Sequence, residues 1–312
     1  MNRRHLIDLD DFTVDEIEQV MSTTDSMGEV LSRPISRVPT LRGVTVVNMF
    51  YEASTRTRVS FELAAKNLSA DTISVTASTS SVTKQESLVD TMRTLQALGA
   101  DVIVVRHSES GSPHLIAQHV AGSVINAGDG WHAHPTQALL DLYTMRGRFG
   151  AINGLKVVIV GDILHSRVAR SNLWGLTKAG AGVVVVGPPT LLPEDAGNGC
   201  YGTPAVEVEY DLDRALTNAD VVMALRIQRE RQDGAYLPSL REYIQQYQVN
   251  EERLRRANAH ALVMHPGPMN EGVEIAPDVA YGGQSVIEDQ VTNGVAVRMA
   301  LLYELVGRAQ EM

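Results

Sequence analysis

Val44-Thr45-Val46-Val47-Asn48-Met49-Phe50-Tyr51 runs directly into Glu52-Ala53-Ser54-Thr55-Arg56-Thr57-Arg58. The first stretch is an apolar run with the character of a buried strand. Beyond the second, Phe61, Ala64, Ala65 and Leu68 recur at helical spacing between Val59 and Leu68. Ser54, Thr55, Arg56 and Thr57 therefore fall where a strand gives way to a helix. The leading N–H groups of a helix have no intrahelical partner and lie at the positive end of its dipole, so that end attracts anions. Hydroxyls and a guanidinium at the same place add donors with one aim. An ordinary N-cap would account for a serine or threonine here, but it requires neither Arg56 nor Arg58. No glycine lies in the segment, so it is not a glycine-rich P-loop. The stretch predicts a phosphate cradle within a strand–loop–helix unit of an α/β fold.

The same alternation continues outward. Asp8 to Leu31 reads as a helix that Phe12 begins, with Val14, Ile17, Val20 and Met21 on its apolar face. After the cradle come helix 58–69, strand Thr72–Val75, helix 86–98, strand Val102–Val105, helix 113–120 and strand Val124–Asn126. A long amphipathic run, Pro135 to Arg148, leads to a second series: Lys156–Val160, helix 166–179, Val183–Val186, Val221–Leu225 and Ala261–Met264. Such alternation implies parallel sheets with helices on both faces. The expectation is an α/β protein of two parallel-sheet domains, residues 1–134 and 135–285. The closing helical run, 286–312, has a stripe of Val291, Val295, Met299 and Leu302 and is expected to pack back on the first domain.

At 312 residues the chain exceeds one typical domain. Its 44% hydrophobic and 21% charged content is that of a globular protein, with no run long enough to span a bilayer. The segment Met1 to Asp8 has no apolar core of signal-peptide length, so a cytoplasmic protein is expected. Cys200 is the only cysteine, which excludes an internal disulfide and a cysteine-based metal cluster. It lies in a Gly-rich segment and is read as incidental. A net charge of −10 argues against nucleic acid as a partner. It also means that any small anion must be captured by local arginines at short range. Val157 to Asp162 could open a dinucleotide fold, but Gly161-Asp162-Ile163-Leu164-His165-Ser166 lacks the glycine fingerprint, so no nucleotide cofactor is expected.

Further polar clusters sit at predicted strand ends, where ligands of such folds bind. Ser80-Ser81-Val82-Thr83-Lys84 is a polar loop; taken alone it is a solvated one. Arg106 follows Val102–Val105. His134-Pro135-Thr136-Gln137 opens the long helix, with Pro135 suited to its first turn. The positive helix end disfavours the charged form of His134, and a neutral imidazole can donate to a carbonyl oxygen. Arg167 follows the second series' first strand, and Arg226 with Gln228 follows Val221–Leu225. Two guanidiniums at strand ends of one domain suit a ligand with two carboxylates. His265-Pro266-Gly267-Pro268 follows Ala261–Met264 as a rigid turn whose backbone can touch a substrate. The set has no activated Ser or Cys nucleophile, no metal cluster and no cofactor loop. It points to direct transfer between two bound substrates by positioning and charge stabilisation.

Ser54-Thr55-Arg56-Thr57-Arg58, His134-Pro135-Thr136-Gln137 and His265-Pro266-Gly267-Pro268 together resemble the aspartate and ornithine carbamoyltransferase family, from about residue 5 to the C-terminus. Arg226-Ile227-Gln228-Arg229-Glu230-Arg231 and the absence of cysteine from the last motif resemble its aspartate branch. The resemblance implies that carbamoyl phosphate binds first, its phosphate held by Ser54, Thr55, Arg56, Thr57 and Arg106. It implies that Thr57, Arg106 and His134 polarise the carbonyl oxygen, that Gln137 holds the amide, and that Gly267 and Pro268 complete this subsite. Aspartate would meet Arg167, Arg226 and Gln228. Its uncharged α-amine would attack, giving N-carbamoyl-L-aspartate on the route to pyrimidines. The family is built on a homotrimer with the active site between its two domains, and the resemblance places Ser80 and Lys84 in a neighbour's site. Regulatory chains or another pathway enzyme, where they occur, would be separate polypeptides; no cofactor is implied. The sequence departs from relatives at Gln85, at Gly267, where some carry leucine, and at Glu271, where many carry arginine. An ornithine or other-amine acceptor is the nearest alternative, and a cationic side chain would need acids where Arg167 and Arg226 stand. A non-catalytic scaffold relative is the other, against which the complete set of Arg56, Arg106, His134, Gln137, Arg167 and Arg226 argues.

Overall fold

The computed structural model describes residues 1–76, 87–199, 203–228 and 239–307. The chain divides into two compact units, Met1–Leu140 with Val291–Met312, and Asp141–Gln290. The first contains α1 (Val14–Leu31), β1 (Thr45–Phe50), α2 (Thr55–Asn67), β2 (Asp71–Thr76), α3 (Leu88–Ala97), β3 (Val102–His107), α4 (Ser112–Ala117) and β4 (Ser123–Asp129). Its sheet has the order β2-β1-β3-β4, every pairing parallel. The chain passes between the units in α5 (Pro135–Phe149). The second contains β5 (Lys156–Val160), α6 (Arg167–Lys178), β6 (Gly182–Val186), β7 (Glu207–Glu209), α7 (Leu212–Leu216), β8 (Val221–Ala224), α8 (Leu240–Tyr247), α9 (Glu251–Leu254), β9 (Leu262–Met264) and α10 (Pro277–Ala280). Its sheet has the order β7-β6-β5-β8-β9, again all parallel. The chain returns to the first unit in α11 (Ile287–Leu302), followed by a π-helical turn, Tyr303–Gly307.

The valine-rich runs become strands because a parallel sheet has both faces covered and needs side chains that are apolar throughout. Val46 to Phe50, Val102 to Val105 and Val157 to Val160 are all buried. Several limits differ from the periodicity. The first helix starts at Val14, after Asp8 and Phe12, because Thr13 and Glu16 form a reciprocal capping box: the Thr13 Oγ1 accepts from the Glu16 N–H at 3.2 Å and Glu16 Oε2 accepts from the Thr13 N–H at 3.0 Å. Helix α2 starts at Thr55, so Arg56 and Thr57 lie inside its first turn. Strand β3 runs to His107, so Arg106 is part of the strand, in register with Phe50.

In the first unit α11 anchors the cradle helix. The buried Arg298 donates from Nη1 to Ser60 Oγ of α2 at 2.8 Å and lies over the Phe61 ring at 5.1 Å. The Met1 amine, Gln19 and Thr23 all donate to Glu304 just beyond α11.

Strand order reverses between β1 and β3 in the first sheet and between β5 and β8 in the second. At such a switch point the connections leave toward opposite faces, opening a crevice at the carboxyl ends of the two strands. The chain is tight there in the second unit. Gly161, directly after β5, has φ +128°, and a Cβ at this position would lie 2.9 Å from the Leu225 carbonyl oxygen after β8. Gly161→Ala is expected to lower the unfolding free energy by about 1–3 kcal/mol, combining backbone strain with overpacking. Urea denaturation of the two proteins measures this, and equal midpoints would contradict the close approach.

Candidate active site

At the first switch point the cradle follows β1. Ser54 is the N-cap of α2 with extended backbone, yet its side chain makes no capping bond. Thr55 and Arg56 are exposed, Ser54 and Arg58 half-buried, and Thr57 buried. The first turn of α2 carries no acid, and the same is true of α6. By contrast α1, α3, α8 and α11 carry acids there, as the helix dipole favours. Arg56 and Arg58 in α2, and Arg167 in α6, are cations set against the positive end of a dipole. Such an arrangement becomes favourable when an anion shares the site.

Arg106 lies beside the cradle on β3. Its Nε stands 3.4 Å from Glu52 Oε2, and its Nη1 donates to the Ala127 carbonyl at 3.3 Å. The Glu52 pairing, absent from the sequence reading, holds the guanidinium at the carboxyl end of the sheet. Next to it, His107 stacks at a tilt on Tyr51, ring centroids 4.8 Å apart, and accepts from the Glu109 N–H. Burial holds its imidazole below the ordinary histidine range.

His134 is 4% exposed and immediately precedes α5, its carbonyl accepting from the Gln137 N–H at 3.0 Å. Thr136 and Gln137 are buried with it. The loop that delivers His134 is built on Asp129, fully buried, which accepts from Asn126 Nδ2, the Gly111 N–H and the Ala133 N–H. His132 bridges this carboxylate to a second one, 3.0 Å from Asp129 Oδ2 and 3.5 Å from Asp8 Oδ2. Nothing in the sequence spacing links Asp8 to Asp129; only the fold brings them together.

At the second switch point Gly161 leads to Asp162, whose Oδ1 accepts from the His165 backbone N–H at 3.2 Å and faces His165 Nδ1 at 2.8 Å. Ser166 caps α6 by accepting from the Ala169 N–H. These bonds fix the entry to α6, where Arg167, 4% exposed, is the first residue. Arg226 and Gln228, both half-buried, follow β8, next to β5 in the sheet. Tyr243 lies beneath, fully buried; burial and the Glu274 and Asp162 carboxylates hold its phenol well above the ordinary range. His265-Pro266-Gly267-Pro268 follows β9, with a cis bond between Gly267 and Pro268. Ser80 and Lys84, with Gln85, Cys200 and Arg229 to Arg231, lie outside the described residues. Among the described residues no group of His, Cys, Asp and Glu side chains could hold a metal ion, and no helix is long and apolar enough to cross a membrane.

Two units, each a parallel sheet with helices and with arginines at its switch point, define a two-domain α/β protein. Residues 4–147 match the carbamoyl-phosphate-binding domain of the aspartate/ornithine carbamoyltransferases, and residues 153–305 match their Asp/Orn-binding domain. The chain belongs to the aspartate/ornithine carbamoyltransferase family. It is 65% identical to the aspartate carbamoyltransferase catalytic subunit of Chloroflexus aggregans, over 98% of this chain and 99% of the relative. Among solved structures, Trypanosoma cruzi aspartate transcarbamoylase in complex with N-(phosphonacetyl)-L-aspartic acid matches with a TM-score of 0.87 at 27% identity, covering 97% of this chain and 95% of that one. Pyrococcus furiosus ornithine carbamoyltransferase matches with the same TM-score at 30% identity, covering 97% of each chain.

The Asp8 cluster gives a pH-dependent expectation. Burial, opposed by the Leu9 N–H bond and by His132, pushes the Asp8 carboxyl from 3.8 up to about 6. Between these values the folded chain holds a proton that the unfolded chain releases. This contribution is fully present below pH 3.8 and is lost as pH rises through about 6. Asp8→Asn removes the dependence, so its stability relative to the parent should rise by about 2–3 kcal/mol from pH 4 to pH 8. Paired denaturation curves at the two pH values measure the change; a constant difference would contradict it.

Proposed function

We infer that this chain catalyses transfer of the carbamoyl group of carbamoyl phosphate to the α-amine of L-aspartate, giving N-carbamoyl-L-aspartate and phosphate for pyrimidine synthesis. The observation that carries this assignment is the pair of switch points whose helices open on arginines rather than acids. The 65% identity to an aspartate carbamoyltransferase catalytic subunit supports aspartate as acceptor.

In this proposal the domain of residues 1–134 takes carbamoyl phosphate and that of residues 135–285 takes aspartate. The first-turn amides of α2, the hydroxyls of Ser54, Thr55 and Thr57, and the guanidiniums of Arg56 and Arg106 receive the phosphate. Thr57, Arg106 and His134 donate to the carbonyl oxygen, while Gln137 and the backbone of Gly267 and Pro268 receive the carbamoyl amide. Arg167, Arg226 and Gln228 hold the two carboxylates of aspartate. This orients the uncharged α-amine at the carbonyl carbon. As the C–N bond forms, the carbonyl oxygen gains negative charge, which the three donors stabilise. Collapse of the tetrahedral species breaks the C–O bond to phosphate, the leaving group that the cradle already neutralises. The proton lost from the attacking amine passes to an oxygen of the departing phosphate, which leaves as hydrogen phosphate.

The same proposal makes the protein a cytoplasmic homotrimer in which Ser80 and Lys84 enter a neighbouring subunit's site. The outer face of α2 exposes Val59 and Leu63, and the edge strand β2 exposes Ile73, an apolar patch that a subunit contact would cover.

Initial rates with carbamoyl phosphate and either aspartate or ornithine test the assignment. Product is expected with aspartate only; turnover of ornithine alone would overturn it. His134→Ala should lower kcat by about 10²–10³-fold, since its bond strengthens as the oxyanion forms, with a smaller effect on phosphate inhibition. An unchanged kcat would remove His134 from the chemistry.

A further inference from the structure

The turn after β9 is held by a buried pair that no motif in the sequence announced. His265 Nδ1 accepts from the Gly267 N–H at 2.8 Å. A ring nitrogen that accepts carries no proton, so the proton of this neutral imidazole sits on Nε2. Nε2 lies 3.1 Å from Glu274 Oε1, and so donates to it. The same Oε1 accepts from the Asn270 N–H at 2.6 Å. Both side chains are fully buried. One carboxylate oxygen therefore grips the turn twice, at Asn270 directly and at Gly267 through the imidazole.

The pair is braced on its other side. The His265 N–H donates to Gln290 Oε1 at 3.0 Å, and Gln290 Nε2 donates to Asp141 Oδ1 at 2.7 Å. Asn172 Nδ2 in α6 donates to the second oxygen of Asp141 at 2.9 Å. These side chains are buried too. A continuous polar chain thus joins the helix that begins with Arg167 to the Gly267 turn. Gly267 itself has φ +66°, a conformation that leaves its backbone direction to be set by its partners. Burying three ionisable side chains and two amides is expensive, and the hydrogen bonds that offset this cost tie the turn to its neighbours in one arrangement.

We propose that His265 and Glu274 are positioning residues that fix the Gly267 backbone so that its carbonyl oxygen accepts from the amide of the carbamoyl group. The inference rests on the carbamoyl-transfer assignment above. It makes the pair a determinant of specificity for a carbamoyl over an acetyl group, because a methyl group has no N–H to give to that oxygen.

The test compares carbamoyl phosphate as substrate with acetyl phosphate as its competitive inhibitor. Glu274→Asp withdraws the oxygen by one methylene, and Glu274→Leu removes it. Each should lower kcat/KM for carbamoyl phosphate by about 10- to 100-fold while the Ki of acetyl phosphate stays within about threefold. Glu274→Gln keeps an oxygen that can accept both bonds and should hold both constants within about threefold of the parent. Circular dichroism identifies folded variants; if the leucine variant does not fold, the aspartate and glutamine variants decide. Parallel loss for both ligands in a folded variant, parent-like kinetics in the aspartate variant, or loss of discrimination in the glutamine variant would each overturn the proposal. A parent protein that fails to carbamoylate aspartate would instead overturn the assignment on which it rests.

Discussion

Parallel strands cannot be joined by tight turns, so the strands of these two sheets release the chain at their carboxyl ends into longer connections, most of which lead to a helix. Where strand order reverses, neighbouring connections part to opposite faces and leave a crevice. The rest of the molecule's chemistry depends on this constraint. It sets the cradle of Ser54 to Arg58 and the Arg106 guanidinium at one reversal, and Arg167, Arg226 and Gln228 at the other. The N-termini of α2 and α6 lie at these same strand ends. The chain adds arginines there although the dipole disfavours them. In a protein of net charge −10, these are local concentrations of positive charge within an overall negative field.

Around the two reversals the interior holds several buried carboxylates. Asp129 organises the loop before His134, Asp162 organises the entry to Arg167, and Glu274 organises the Gly267 turn. In each case a buried carboxylate accepts backbone N–H groups of an irregular segment and faces a histidine. Loops with few neighbours of their own gain one geometry in this way, because a buried amide left without a partner costs about 1–3 kcal/mol. His134 and Arg167 are thereby presented from backbone segments that buried carboxylates hold.

Much of this was legible in the sequence. Valine-rich runs and the helical spacing of Phe61, Ala64, Ala65 and Leu68 located the principal strands and the cradle helix, since parallel strands are apolar on both faces. Ser54 to Thr57, Arg106, His134, Arg167 and Arg226 were marked because each stands at a strand end with a chemistry that simple capping does not require. Short elements escaped: Glu207-Val208-Glu209 forms β7 with no apolar run, and α7, α9 and α10 are too brief to establish a period. Capping set the start of α1 at Val14, where hydrophobic spacing alone pointed earlier. The pairings of Glu52 with Arg106, Asp8 with His132 and His265 with Glu274 were invisible because each depends on contacts that the fold creates. Of these, His265 and Glu274 lie close in sequence but within an irregular turn that has no period to read.

The central claim is the carbamoyl-transfer assignment proposed above, in which each set of arginines binds one substrate. Calorimetric titration with N-(phosphonacetyl)-L-aspartic acid tests it most directly, using the parent protein, Arg56→Ala, Arg226→Ala and the double variant. The proposed assignment predicts that each substitution weakens binding by about 10- to 100-fold, the loss of one charge-assisted contact. Binding that Arg56→Ala weakens and Arg226→Ala leaves at the parent's affinity would contradict the claim.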